Sequence, residues 1–75
     1  MSKGRLIREV QLRASKEYKA AKVLYFGEWQ EYQLQYIRHD GTVHHGATYY
    51  TEDRSDALDT LAHLQVKDNE QLAAA

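Results

Sequence analysis

The stretch from Glu31 to Leu64 constrains the fold more than any other part of the chain. Tyr32, Leu34 and Tyr36 alternate with Gln33 and Gln35, so an extended segment there has one apolar and one polar face. Asp40-Gly41 follows, and its spacing predicts a two-residue type I′ turn, which needs φ > 0 at both central positions. Thr42 to Tyr50 then reads as the returning strand, with Val43, His45, Ala47 and Tyr49 on one face and His44, Gly46, Thr48 and Tyr50 on the other. Gly46 marks a bulge or a close backbone approach. After Tyr50 the pattern becomes helical. Thr51 or Asp53 can cap, while Glu52, Asp53 and Asp56 put negative charge at the positive end of a helix dipole. Ala57, Leu58, Leu61 and Ala62, with Leu64 or Gln65, form the inward stripe; Asp56, Asp59, Thr60 and His63 lie outside it or on its margin.

Upstream the pattern is less decisive. Leu6, Ile7, Val10, Ala14, Tyr18 and Ala21 fall on one side of a helical wheel, which predicts a helix over much of Leu6 to Ala21. A strand through Val10, Leu12 and Ala14 is the rival reading, and no Gly or Pro near Ser15 decides where a helix would stop. Val23 to Phe26 reads as a short, largely buried strand, and Gly27 to Gln30 as its connection to Glu31. The expected architecture is α+β: a three-stranded antiparallel β-meander with a C-terminal amphipathic helix packed on one face and an N-terminal helix, in the order α-β-β-β-α. Residues 1–75 make one small domain, with 1–4 and 67–75 expected to fray. A chain this short buries only about 60% of its unfolded surface, so dimerisation would help it.

Charge is unevenly distributed. Residues 1–22 hold seven basic residues and two acids, a balance of +5; residues 23–75 hold three basic residues and nine acids, a balance of −6. A basic N-terminal face suits nucleic acid or an acidic protein; the plainer reading is two solvated faces that attract weakly within one domain or across a dimer. With no cysteine there can be no disulfide, thiolate nucleophile or cysteine zinc site, and no apolar run approaches a membrane span. The expected compartment is the cytoplasm.

No pattern points to catalysis. Ser2, Ser15 and Ser55 sit in no nucleophile-elbow context, and helix-dipole compensation accounts for the acids at the helix start. Four histidines stand at 39, 44, 45 and 63, but zinc needs three or four convergent ligands, and His44 and His45 point to opposite faces of a regular strand. No metal and no cofactor is expected; four groups near the unperturbed histidine pKa could change the charge of one end of the sheet between about pH 5 and 7.5. Six tyrosines, Trp29 and Phe26 exceed what one small sheet face needs, so some should lie at the surface, where Tyr and Trp supply interface hot spots or stack on bases.

The segment from Tyr32 to Leu64, with short strands ending in Tyr50-Thr51-Glu52-Asp53 before an Ala57-containing helix, is similar in outline to sheet-plus-helix DNA-binding modules of the integrase-arm type. That resemblance implies a three-stranded sheet in the major groove with Arg, Lys and Trp on its exposed face. Here Arg38 is the fixed cation of those strands, and Gln33, Gln35, His44 and Thr48 stand where basic residues would be. In size and layout the chain also looks like small proteins of phages and mobile elements that block a host enzyme by docking an acidic or aromatic surface.

The expected function is a small non-enzymatic protein-binding module, adaptor or inhibitor-like. Its contact residues are Trp29, Gln33, Gln35, His44, Tyr50, Glu52, Asp53 and Asp56. One alternative is nucleic-acid binding by Arg5, Arg8, Arg13, Lys16 and Lys19 with aromatic stacking; another is a structural homodimer in which the +5 and −6 surfaces meet.

Overall fold

A computed structural model describes residues 4–74. Four antiparallel strands, β1 (Arg5–Gln11), β2 (Tyr18–Phe26), β3 (Glu31–Arg38) and β4 (Tyr49–Thr51), form one sheet in the order β1-β2-β3-β4, and α1 (Arg54–Ala74) covers one face. The fold is α+β with a meander sheet and a C-terminal helix, but it has four strands where three were expected and begins with a strand where a helix was expected.

The N-terminal correction has a clear physical basis. Val10 and Leu12 are buried while Glu9, Gln11 and Arg13 are exposed, a period of two. Ser15 Oγ accepts the Tyr18 N–H at 3.1 Å and turns the chain into β2. β2 is longer than the Val23 to Phe26 run, and β1 supplies partners for its second edge from Arg5↔Tyr25 to Gln11↔Ala20. Those partners outweigh a helical wheel that fits the same residues almost as well. A bulge between Leu6 and Arg8 lets Ile7 pack against the core.

The Asp40-Gly41 turn is where it was expected, but its type differs. Gly41 alone takes a positive φ (+90°), the Gly41 N–H donates to the Arg38 carbonyl at 2.9 Å, and the Arg38 N–H donates to the Thr42 carbonyl at 2.8 Å. The loop is therefore His39–Asp40–Gly41, a type I turn closed by a glycine bulge. Asp40 holds it by accepting from the Thr42 N–H (2.9 Å) and hydroxyl (2.7 Å), which also keep its carboxyl below the usual carboxylate range.

The returning segment is broken. Val43 bridges Ile37, the His44 N–H donates to the Tyr36 carbonyl at 3.0 Å, and the chain then makes a 3-10 turn over His45–Ala47 before Tyr49 pairs with Leu34. Residues 44 to 48 thus stand opposite only Gln35 and Tyr36. The excess of three is odd, so the faces exchange: Tyr50 falls on Val43's side and His44 on Tyr49's, against the regular alternation read from the sequence. Gly46 lies inside this excursion.

Asp53 caps α1: its Oδ1 accepts the Ser55 N–H at 2.8 Å, and its carbonyl accepts the Ala57 N–H at 3.1 Å. Thr51 Oγ1 accepts the Asp53 N–H just upstream. Ala57 and Leu61 pack on Val10, Leu12, Ala21, Val23 and Leu34, with Leu58 and Leu64 beside them.

Helix α1 continues past 67, where fraying was expected, to Ala74, and Asp68, 5% exposed, reaches across to the backbone just after β1: its Oδ2 accepts the Arg13 N–H at 2.9 Å and its Oδ1 the Ala14 N–H at 2.8 Å. At the other end Gly4 packs on the Phe26 ring, while the expected fraying of 1–3 and 75 lies outside the described residues.

Two predictions follow from this packing. Leu61→Ala should cost about 2–5 kcal/mol, whereas Thr60→Ala, which loses one hydroxyl bond to the Asp56 carbonyl, should cost under about 1 kcal/mol in thermal melts. Equal shifts would put the wrong side of the helix inward. Asp68→Asn turns an amide N–H₂ toward a buried N–H, so urea denaturation should show a loss of about 1–3 kcal/mol; an unchanged midpoint would remove the bridge from the account.

Candidate protein-binding surface

With α1 on one face, strand alternation assigns Leu6, Glu9, Lys22, Leu24, Phe26, Glu31, Gln33, Gln35, Ile37 and Tyr50 to the other. One row crosses all four strands as Leu6, Leu24, Gln33 and Tyr50; the next runs Glu9, Lys22, Gln35. Leu6 (55% exposed), Tyr50 (55%) and Trp29 (57%) are the largest apolar surfaces at this end.

Trp29 is placed by the Gly27–Gln30 connection, where the Trp29 N–H donates to the Phe26 carbonyl at 3.2 Å and Gln30 turns the chain back with a φ of 50°. Its ring leans on Phe26 with centroids 5.6 Å apart. Along β3 the Gln35 amide donates to Gln33 and the Gln33 amide donates to Glu31, each at 3.1 Å, so these side chains form a fixed ladder. The ladder holds its members in one orientation and leaves further donors and acceptors for a partner.

Of the eight residues expected at the contact surface, Trp29, Gln33, Gln35 and Tyr50 are brought together on this face, and Glu52 is exposed just beyond Tyr50. His44 lies on the helix side, where it and the Tyr18 hydroxyl share a hydrogen bond of 2.6 Å and the Tyr18 and Tyr36 rings lie 5.0 Å apart. Asp53 is occupied as the helix cap, and Asp56 accepts the Tyr49 hydroxyl at 2.5 Å. Leu6, Leu24 and Phe26 were missed as surface residues. For Leu6 the signal was period-two alternation, which the helical reading of the N-terminus hid; Leu24 and Phe26 lie in the unbroken apolar run Val23 to Phe26, which reads as a largely buried strand.

The five basic residues of the nucleic-acid alternative are spread over two strands and their connection. Arg5 and Arg8 lie on β1, Arg13 and Lys16 in the connection to β2, and Lys19 on β2 beside a groove of about 360 Å³ on the uncovered face. The histidines do not converge: His39 Nε2 lies 3.3 Å from the Ser15 carbonyl, His44 is held by Tyr18, and His45 and His63 are exposed. Among the described residues no three His, Asp or Glu side chains gather as a metal site, and no helix is long and apolar enough to cross a membrane.

No family model matches the chain, and no curated protein or solved structure matches it.

Three phenols on the helix side titrate above the ordinary tyrosine value. Desolvation leads at Tyr18 and Tyr36, with the Glu17 carboxylate adding at Tyr18; at Tyr49 the hydrogen bond to Asp56 leads. A raised folded-state value favours the neutral phenol in the fold, so this contribution to stability is complete below the unfolded value of about 10 and is lost as pH rises through the folded values. Alkaline denaturation followed by phenolate absorbance should show these three ionising late and together with unfolding. Tyr49→Phe should make the stability of the protein less sensitive to high pH; an unchanged pH profile would contradict the role given to the Tyr49–Asp56 bond.

Proposed function

We propose that this chain is a non-enzymatic protein-binding module, adaptor or inhibitor-like, that receives its partner on the uncovered face of the sheet. One observation carries the reading. An antiparallel sheet with one face in water normally presents polar side chains there, whereas this face presents Leu6, Leu24, Phe26 and Tyr50 with Trp29 at its end. Rigid aromatics beside a polar ladder combine a core that excludes water with a rim that hydrogen-bonds. Glu52 adds negative charge at the margin, which suits a basic partner surface and acts mainly on encounter.

A second copy of the chain is the alternative partner. Glu9 and Glu31 balance Lys19 and Lys22 on or beside this face, so Glu52 at its margin is the like charge that two copies related by a two-fold axis would have to keep apart.

Sedimentation velocity over a range of concentrations separates the two partners, and affinity capture from a native lysate followed by binding kinetics tests the surface. Trp29→Ala or Tyr50→Ala should raise the off-rate of the captured partner, or weaken the dimer, by about 2 kcal/mol. Glu52→Gln should instead lower the on-rate and flatten its salt dependence. A partner bound equally by wild type and by both aromatic variants would exclude this face.

A further inference from the structure

The sheet has a second unfilled feature, independent of its uncovered face. β1 pairs with β2 and with no other strand among the described residues, so seven residues of its outer backbone edge are unpaired. At the opposite side of the sheet β4 is only three residues long. Exposed edges of this length are commonly blunted by charge and by bulges, and β1 has both. The bulge, however, lies between Leu6 and Arg8, and the register from Arg8 to Gln11 is regular.

Beside that regular half runs a groove of about 400 Å³, walled by Glu9, Gln11 and Arg13 on the strand side and by Gln65, Asn69 and Leu72 on the helix side. It exists because α1 extends past the sheet and Asp68 holds it against the end of β1. A free strand edge with a helix standing beside it is the geometry in which a bound peptide adds a strand: main-chain bonds supply affinity, and alternate side chains enter the groove.

The charge of the site selects the occupant. Arg5, Arg8 and Arg13 are all exposed along this strand and its end. Two carboxylates stand among them, Glu9, which accepts from Gln11 at 3.1 Å and faces Lys22, and Asp68, both of whose oxygens accept backbone N–H groups, so the strand and its groove keep an excess of positive charge, three guanidiniums against two acids. Guanidinium forks on an exposed strand match carboxylates better than any other side chain. We propose that the free edge of β1 is a docking site for an extended acidic segment of a partner protein, which joins the sheet as a fifth strand between β1 and the C-terminal half of α1.

The test uses a soluble, end-blocked peptide of about ten residues alternating valine and glutamate, long enough at about 3.3 Å per residue to pass Arg5, Arg8 and Arg13. Titration into the full chain, followed by amide NMR shifts and hydrogen exchange, should perturb Arg5 to Gln11 and protect their outward N–H groups. The same peptide N-methylated at alternate residues should bind at least about tenfold more weakly, because it cannot form the ladder. Arg8→Glu with Arg13→Glu should weaken binding by at least about tenfold, and Arg8→Gln alone should do so in part if the double variant is poorly folded. Absence of binding at millimolar peptide, equal binding of the N-methylated form, or shifts confined to the uncovered sheet face would each overturn the proposal. So would tighter, steeply salt-dependent binding of a single-stranded oligonucleotide at the same arginines, which would assign them to phosphate.

Discussion

Val23 and Leu34 stand opposite each other on the two central strands, and both are fully closed off from solvent beneath Leu61. Everything else in the fold is arranged around that three-way contact. Because β2 and β3 are, among the described residues, the strands paired on both sides, their inward residues are screened by neighbours along the sheet as well as by the helix above. Ala21 and Ala57 are also fully buried, and their small side chains let the helix approach closely enough for Leu61 to reach both central strands. Tyrosines close the ends of this small core: Tyr25 and Tyr32 lie 4.7 Å apart at one end, and Tyr18 and Tyr36 lie 5.0 Å apart at the other. Four of the six tyrosines are thus spent on packing, which leaves Tyr49 and Tyr50 as the exposed pair.

What could be read from the sequence was what short-range chemistry decides. The cap at Asp53, the inward Leu61 and the strand beginning at Glu31 depend on neighbours a few residues away, and each is where the pattern put it. Residues 5–20 depend on a partner instead. Val10 and Ala14 satisfy a helical wheel or an alternating strand equally, Leu12 fits only the strand, and the open edge of β2 decides between the two. Asp68 shows the same limit in reverse: an acidic residue leading into a polar and alanine-rich tail gives no local sign that two backbone donors more than fifty positions away will bind it.

The uncovered face was legible in the same uneven way. Gln33, Gln35 and Trp29 follow from β3 and from a connection too short to place a side chain elsewhere. Tyr50 shares their face, but His44 does not. Three extra residues between Val43 and Tyr49 reverse the alternation, and neither His44 nor His45 has a sequence feature that announces a 3-10 turn. Leu6 joins the surface once β1 sets it opposite Leu24, while Leu24 and Phe26 lie there by alternation along β2. The apolar character of this face is therefore a property of the sheet, held by residues from strands far apart in the sequence.

The carboxylate of Asp68 also ties the order in which the molecule can form to its ends. Its bonds to Arg13 and Ala14 close a loop of some fifty-five residues, and such a closure becomes favourable only after the intervening strands have shortened the distance to be spanned. Pairing in the middle of the chain therefore lowers the entropic cost of joining its two ends. Once they have met, the Arg13 and Ala14 N–H groups keep their partners only while the later turns of α1 stay in place, so opening those turns of the helix also frees the backbone just after β1.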